Sequence, residues 1–541
     1  DGTTGYDFMN LISAVQHDPS SDAAFTRLWT DVSGRPPDFE MEERAARRDM
    51  LSTAFANALR VAAAAFAPLG NDGDAGNDVA AIQCAISLTI ERFRAYRTYA
   101  VGDSREPAPG ALFEDAVCSA AADAAGPVRR ALDLVASVVR GDAASGGGDA
   151  RDAVRRFNQL AAPIAAKAVE DTACYRYGRL LSRNDVGFSP GRFSMSVAEF
   201  HRHNAAQADA FPRTLVTTAT HDHKRGEDAR ARLAALSELP AEWAHAVDAW
   251  FAMNAPRRPA GIGRGDEYQL YQTLIGAWPV ELAASDADGL AAFEERILAW
   301  RVKSLREAKL ETSWDRPNGA FENAHKAFVG SLLAPSQPFV EGLASFVARL
   351  APAGALNSLA ACALRCTSPG VPDLYQGDEA WDLTLVDPDN RRPVDFDRRR
   401  ALLSAGGARD LPELLGEWSS GAVKATLIAR LLALRARVPS VFLSGAYVPI
   451  ETSSERILAF ARTDETAVVL VAVPRLCAND AVVSATPLPA PGQHRWRDLS
   501  LPSAWRHREW RDVLSRDAPV VARADGDAIF DRFPAVVLLS A

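Results

Sequence analysis

The sequence predicts an α/β fold: part of a parallel (β/α)8 TIM barrel with large helical insertions, plus a C-terminal antiparallel β-sandwich domain. Three observations predict it. The first 150 residues carry apolar side chains at spacings of three and four, the period of a helix face. Two later segments join a short β-prone run to a polar loop, with a helix after one and before the other, as in a parallel barrel. After about Leu443 short alternating runs take over, the period of an antiparallel sheet.

In chain order, Leu51, Phe55, Leu59, Ala62 and Phe66 recur at helical spacing before Gly70, and Val79, Ile82, Ile86, Ile90 and Phe93 repeat the pattern. Residues 71–77 form a Gly/Asp/Asn loop, and GDAASGGGD at 141–149 reads as a flexible connection. This gives a helical segment over 1–150. Residues 151–239 follow, with Leu215 to Thr220 (LVTTAT) as a strand that runs through a charged loop into the helix EDARARLAAL. Residues 240–353 read as a second helical insertion. In 354–440 a helix with Leu356, Leu359, Ala360, Ala363 and Leu364 on one face leads into PGVPDLYQGDE. Residues 441–541 carry RILAFAR, TAVVLVAV and an Asp525-Gly526 hairpin signal.

Lys plus Arg number 60 against 69 Asp plus Glu, a formal charge of -9, which argues against nucleic acid as a partner. No stretch reaches the ~18 uninterrupted apolar residues of a membrane span, so no membrane partner is expected. The six cysteines lack the paired spacing of a zinc ribbon and the density of a disulfide scaffold, and read as reduced thiols of a cytoplasmic protein. Cys362 and Cys366 lie one helical turn apart with no further ligand nearby in sequence, which favours core packing over a metal. The chain opens at Asp1 rather than Met, and sequence before it is expected.

The segment with the most chemistry is THDHKRGEDARARL at 220–233. A His, an Asp, a Lys and an Arg converge directly after a buried-looking strand, at the end where barrel enzymes place their catalytic groups. From spacing alone, a solvated loop capping the next helix is an equal reading.

This segment resembles the fourth conserved region of the α-amylase family of glycoside hydrolases, in the version found in maltooligosyltrehalose synthases. Thr220, His221, Asp222, Lys224, Arg225, Glu227, Asp228, Arg230 and Arg232 match that family's THDTKRSEDVRAR. DGTTGYDFMN at 1–10, YRTY at 96–99, the block at 156–187, DEYQLYQTLIGAWP, REAKLETSW and SPGVPDLYQGDE are similar to further strings of the family. The resemblance implies a retaining mechanism with an Asp nucleophile, a Glu acid/base and a second Asp that stabilises the transition state. Asp222 stands at the position of that second Asp, and His221 would bond a hydroxyl of the same sugar.

The family's nucleophile lies in a GLRIDHVDG-like string and its acid shortly before GTTGYDF; neither string occurs in the 541 residues. Both are expected upstream on barrel strands four and five. Segment 1–150 would then be an insertion after strand five, 151–239 would hold strands six and seven, and 354–440 strand eight. The resemblance implies a maltooligosaccharide substrate, conversion of its reducing-end α-1,4 bond to α,α-1,1, no cofactor and no metal. It also implies an N-terminal fragment as partner and a maltooligosyltrehalose trehalohydrolase acting in the same pathway. The chain alone is expected to be inactive. An α-glucan hydrolase and a non-catalytic glucan-binding fragment are the rival readings; the hydrolase should share Asp222 but not GTTGYDF or AKAVEDTACYRY.

Lys224 and Arg225 are further substrate candidates. Lys167, Glu170, Asp171 and Tyr175 match the family's AKGVEDTAFYRY and are expected after strand six, either near the sugar or in an ion-paired network. Cys174 replaces a Phe and Ala168 a Gly of that string, and His223 replaces a Thr of the fourth region. Tyr96, Arg97 and Tyr99 either line the pocket or pack in the core. For Trp243, Trp278, Trp314 and Trp381 helix packing is favoured over sugar stacking. His201, His203 and His245 read as surface residues.

Overall fold

The structure is a computed structural model that describes residues 5–70, 78–99, 107–142, 148–505, 508–517, 520–521 and 529–540. The loop expected at 71–77, the centre of the break at 141–149 and the Asp525-Gly526 hairpin lie outside these residues. The chain divides into two compact units: residues 36–177 with 304–317, and residues 1–35, 178–303 and 318–541. These cut the chain at different places from the five segments read from sequence.

The smaller unit is helical, as its periodicity requires. The stretch from Leu51 to Phe66 is not one helix but two, Phe39–Ser52 and Ala56–Phe66, bent by 82°. Phe93, Phe113 and Phe157 pack as a triad of rings in its core, with centroids 5.8–6.2 Å apart. Gly148–Ile164 runs on through a π-helical stretch, Ala165–Ala173, to Arg176. This corrects the expectation of strand six before Lys167: among the described residues no strand is assigned from 148 to 214.

In the larger unit Leu215–Val216 (β1) and Val371–Pro372 (β2) pair in parallel, with Leu215 opposite Val371 and Val216 opposite Pro372. The helix before β2 is Pro338–Thr367. It is long and apolar enough to span a membrane, but 89% of its apolar window is buried inside the protein, so its apolar length is that of a core helix. Gly354 on this helix lets Glu227–Ala235 approach closely, since a Cβ there would stand 2.8 Å from Arg232 Cβ. Arg435 closes its C-terminal end by donating to the carbonyls of Cys366 (3.1 Å) and Gly370 (2.8 Å).

The C-terminal region is a correction of the expected sandwich. Ala446–Ile450 (β3), Ile457–Thr463 (β4), Val468–Pro474 (β5), Trp510–Asp512 (β6), Val520–Val521 (β7) and Val536–Ser540 (β8) form one antiparallel sheet in the order β3-β4-β5-β8-β6-β7. Leu458, Phe460, Val469 and Val471 face a core shared with Leu359, Val423 and Leu427 of helices. Ile457, Ala459, Val468 and Leu470 face Trp496, Trp510 and Phe530. Among the described residues both faces are thus covered with no second sheet in this region, which is why β4 and β5 read as nearly unbroken apolar runs.

Candidate active site

The loop that follows β1 carries Asp222, half-buried, and His221, exposed. The backbone here is held from several sides. The N–H of Asp222 donates to Thr220 Oγ1 at 3.2 Å, and the N–H of Thr220 donates to His223 Nδ1 at 3.1 Å. The carbonyl of His221 accepts from Asn390 Nδ2 (3.1 Å) and an Arg391 guanidinium nitrogen (3.3 Å). Thr220 Oγ1 donates to Tyr6 Oη at 3.4 Å. Gly5, at φ 78°, sits so close to β1 that a Cβ would stand 2.9 Å from Thr217 Cγ2. The GYDF segment is therefore packed beside the Asp222 loop, which explains the glycine.

Beyond Asp222 the loop turns inward. Lys224 and Arg225, the further substrate candidates, are buried. Their backbone N–H groups donate to the Asp185 carboxylate at 2.8 and 3.4 Å, and Arg230 forms an ion pair with Asp185 at 3.0 Å. The Arg225 side chain donates to the carbonyls of Leu181 and Asn184, both at 3.4 Å. His223 is also buried, edge-on to Tyr375 at 6.0 Å. Its Nδ1, which accepts from the Thr220 N–H, holds the turn.

Gly226 opens the helix Glu227–Ala235 where the loops after β1 and β2 meet. Its N–H donates to the carbonyl of Thr384 at 2.8 Å, and the N–H groups of Asp228 and Ala229 donate to the carbonyl of Asp382 at 3.2 and 3.3 Å. A backbone carbonyl from the other loop thus satisfies donors that the helix start leaves orphaned. Any side chain at 226 would clash, because a Cβ would lie 2.4 Å from Asp382 Oδ2.

Below this junction is a buried ion cluster. Glu227 meets Lys424 and Arg365, each at 2.6 Å, and Asp228 meets Lys424 at 2.7 Å. Lys424 also donates to the carbonyl of Ala380 at 3.0 Å, and Asp378 lies 3.7 Å from Arg365. Burial alone would raise the Glu227 pKa, but Arg365 and Lys424 pull it down to about 2. Burial, with Glu227 and Asp382 adding to it, pushes Asp378 well above the usual range. Lys424 is held well above its ordinary value: burial opposes this, and Asp228 and Glu227 overcome it.

A carboxylate depressed in the folded state contributes stability above its unfolded pKa, and this is lost as pH falls through the folded value. Glu227 therefore stabilises the junction above about pH 4.5, and that contribution disappears as pH falls toward 2. In denaturant titrations between pH 5 and 2, Glu227→Gln is expected to show a flatter fall in stability than wild type. Parallel slopes would contradict this.

Beside the loop lies a cleft of about 410 Å3, lined among others by Tyr375, Trp381, Asp382, Thr384, Asn390 and Arg392. Of the lining residues, Asp382 turns Oδ2 away from solvent against the backbone of Gly226, and neither this oxygen nor the buried Asn390 Oδ1 has a hydrogen-bond partner among the described residues.

Of the remaining candidates, those from Tyr96 to Tyr175 and Trp314 lie in the smaller unit, and the other tryptophans and the histidines in the larger one. Tyr96, Arg97 and Tyr99 are exposed, which excludes core packing for them. The Tyr96 hydroxyl donates to Glu170, and Arg97 stacks over Tyr99 at 5.6 Å. Lys167 is exposed and pairs with Asp171 at 2.7 Å, one helical turn on. Tyr175 and Cys174 are buried and do not present a surface to a ligand. Trp243 and Trp278 are buried packing residues, and Trp381 is half-buried, donating to the carbonyl of Trp418 at 2.9 Å. Trp314 is exposed, contrary to the packing reading. His203 and His245 lie at the surface, but His201 is half-buried, its Nδ1 2.7 Å from Tyr447 Oη. None of the six cysteines forms a disulfide, and among the described residues no cluster of His, Cys, Asp and Glu could hold a metal.

Sequence reasoning missed Tyr6, Asp185, Asn390, Arg391, Arg365 and Lys424. Tyr6 and Asp185 lay in strings already singled out. Arg365 and Lys424 are single cations in apolar helical stretches, a pattern that gives no sign of the carboxylates they meet.

No family model matches the chain. Two curated relatives from Mycobacterium tuberculosis, strains CDC 1551 and H37Rv, carry the name maltooligosyl trehalose synthase. Each is 35% identical over 482 residues, 88% of this chain and 56% of the relative. The solved structure of maltooligosyltrehalose synthase from Arthrobacter ramosus superposes with a TM-score of 0.79 at 29% identity, covering 100% of this chain and 64% of that one. A Sulfolobus tokodaii protein described as a hypothetical maltooligosyl trehalose synthase gives 0.74 at 25%, covering 100% and 63%. The chain is therefore a homologue of maltooligosyltrehalose synthases that spans slightly more than half the length of the curated relatives it matches.

Proposed function

We propose that this chain supplies the transition-state-stabilising part of a maltooligosyltrehalose synthase, an intramolecular transglucosylase acting on α-1,4-glucans. The observation that carries the reading is the placement of Asp222 at the C-terminal end of a parallel strand pair, in a loop braced from below by buried charge. The parallel register of β1 and β2 supports their reading as strands seven and eight of a (β/α)8 barrel.

In this reading the reducing-end α-1,4 bond of a maltooligosaccharide breaks onto a nucleophile that comes, with the acid/base, from sequence outside these 541 residues. As positive charge grows at the anomeric carbon, the carboxylate of Asp222 strengthens its hold on the ring hydroxyls, lowering the barrier more than it stabilises bound substrate. His221 bonds a hydroxyl of the same sugar. The freed glucose stays bound, turns, and attacks through its own anomeric hydroxyl. Water must be excluded for this to outrun hydrolysis, a suitable role for large helical insertions. The reaction needs no cofactor. Its product, with both anomeric carbons locked, suits a trehalohydrolase downstream, and six cysteines that form no disulfide fit a reducing, cytoplasmic setting.

The test is product chemistry. The chain joined to its nucleophile- and acid-bearing part, incubated with maltopentaose, should yield an isomer of the same mass that borohydride cannot reduce. Shorter, reducible sugars as the main product would favour an α-glucan hydrolase instead.

A further inference from the structure

In the smaller unit, Trp314 keeps 51% of its surface exposed, although a tryptophan side chain gains stability by burial. It is nevertheless fixed in place. Its indole N–H donates to Glu307 Oε1 at 2.9 Å, and the Arg306 guanidinium lies over the ring at 4.9 Å. The loop that carries it is tied down by buried Thr312 and by a turn in which the Ser313 N–H donates to the Arg316 carbonyl at 3.2 Å. Lys309, at φ 55°, starts this loop and donates to Thr172 Oγ1 (2.8 Å) and to the Asp171 carbonyl (3.2 Å).

The neighbouring residue Glu170 accepts from the hydroxyl of Tyr96, itself 42% exposed. Tyr96 is thus anchored to Glu170, and the start of the loop that carries Trp314 to Asp171 and Thr172 of the same π-helix. The charges around them cancel: Lys167, Arg306 and Lys309 stand against Glu170, Asp171 and Glu307. Such a surface has no net attraction for a phosphate or a polyanion. It offers aromatic faces for C–H groups and a mixed rim of donors and acceptors for hydroxyls.

We infer that Trp314, with Tyr96, forms a carbohydrate-stacking surface that holds a glucose unit of an α-1,4-glucan through its apolar ring face. This rests on the α-glucan reading above and adds a binding residue to it. Arg306 covers part of the indole, and the exposed part is left for the sugar. Glu307, which fixes both the indole N–H and Lys309 (3.3 Å), is the positioning residue.

The test uses the 541-residue chain and maltohexaose as probe, with cellohexaose as the stereochemical control. In calorimetric titrations Trp314→Ala is expected to weaken maltohexaose binding by at least about tenfold, and Trp314→Phe, which keeps a ring, by less than about threefold. Cellohexaose should bind more weakly than maltohexaose to the wild-type chain. A second readout needs no variant: bound maltohexaose should slow oxidation of Trp314 by N-bromosuccinimide, followed by mass spectrometry of its peptide. Equal affinities of wild type and Trp314→Ala, no binding of maltohexaose at all, or an oxidation rate indifferent to the sugar would each overturn the inference. The assay of product chemistry is independent of Trp314, so it can succeed where this surface fails.

Discussion

Replacing Lys424 by Met should lower the stability of the chain by about 3–5 kcal/mol, the usual cost of leaving buried charge without its partner. Met matches the length of the stem, so little packing is lost, and the effect comes from Glu227 and Asp228. Both carboxylates are buried with the Lys424 ammonium at 2.6 and 2.7 Å. Glu227 keeps Arg365, but Asp228 keeps no other cation of this cluster, so it must either take up a proton or draw in water. The loops after β1 and β2 should loosen together, because the Ala380 carbonyl also loses its donor. Denaturant midpoints measure the loss, and hydrogen exchange at the Gly226 N–H, bonded to the Thr384 carbonyl, reports the loosening. A double variant, Lys424→Met with Asp228→Asn, should recover part of the stability. A loss below about 1 kcal/mol would place the cluster among weakly coupled ion pairs.

Asp222→Asn should reduce turnover of the joined enzyme by about a thousandfold, the scale found when a preorganised group facing developing charge is lost. Asn still bonds hydroxyls, so the loss belongs to the transition state: kcat falls while KM stays within about threefold. Stability should change little, since Asp222 is half-buried and is not part of the ion cluster. A rise in KM with kcat unchanged would make Asp222 an ordinary binding residue.

These two residues also show what was legible in the sequence. The place of Asp222, in the loop after β1, was, because it lies in a string whose neighbours resemble one family position by position. So were the starts of the two parallel strands, since LVTTAT and VPDLY each follow a turn signal and end in polar residues, although only Leu215–Val216 and Val371–Pro372 pair. Lys424 was not legible. It sits in AVKATLIARLLALRAR, where a lone lysine reads as a surface residue, and its partners are almost 200 positions away in sequence. The burial of Lys224 and Arg225 was not legible for the same reason. A motif shows that a loop is special without showing which of its side chains turn inward, and here Asp185 draws the backbone of both into the interior.

The sheet and the helices were misread for a different reason. RILAFAR and TAVVLVAV have the composition of a strand buried on both sides, which is equally consistent with a sandwich and with one sheet covered by helices and loops. AKAVEDTACYRY carries no strand pattern of its own; it was placed after a strand by resemblance, and the structure shows it running on from a helix. Trp314 was assigned to packing because a lone tryptophan usually packs, and periodicity cannot show that a turn holds it out of the core.

The most direct measurement counts reducing ends in maltopentaose incubated with the 541-residue chain alone, with the chain joined to its upstream part, and with that joined protein carrying Asp222→Asn. Retaining chemistry needs a nucleophile and an acid/base with carboxyls about 5 Å apart, and Asp222 cannot serve as both. The account predicts no change with the chain alone, a fall with the joined protein, and almost none with the variant. A fall produced by the chain alone that survives Asp222→Asn would contradict both the role given to Asp222 and the need for carboxylates from outside the chain.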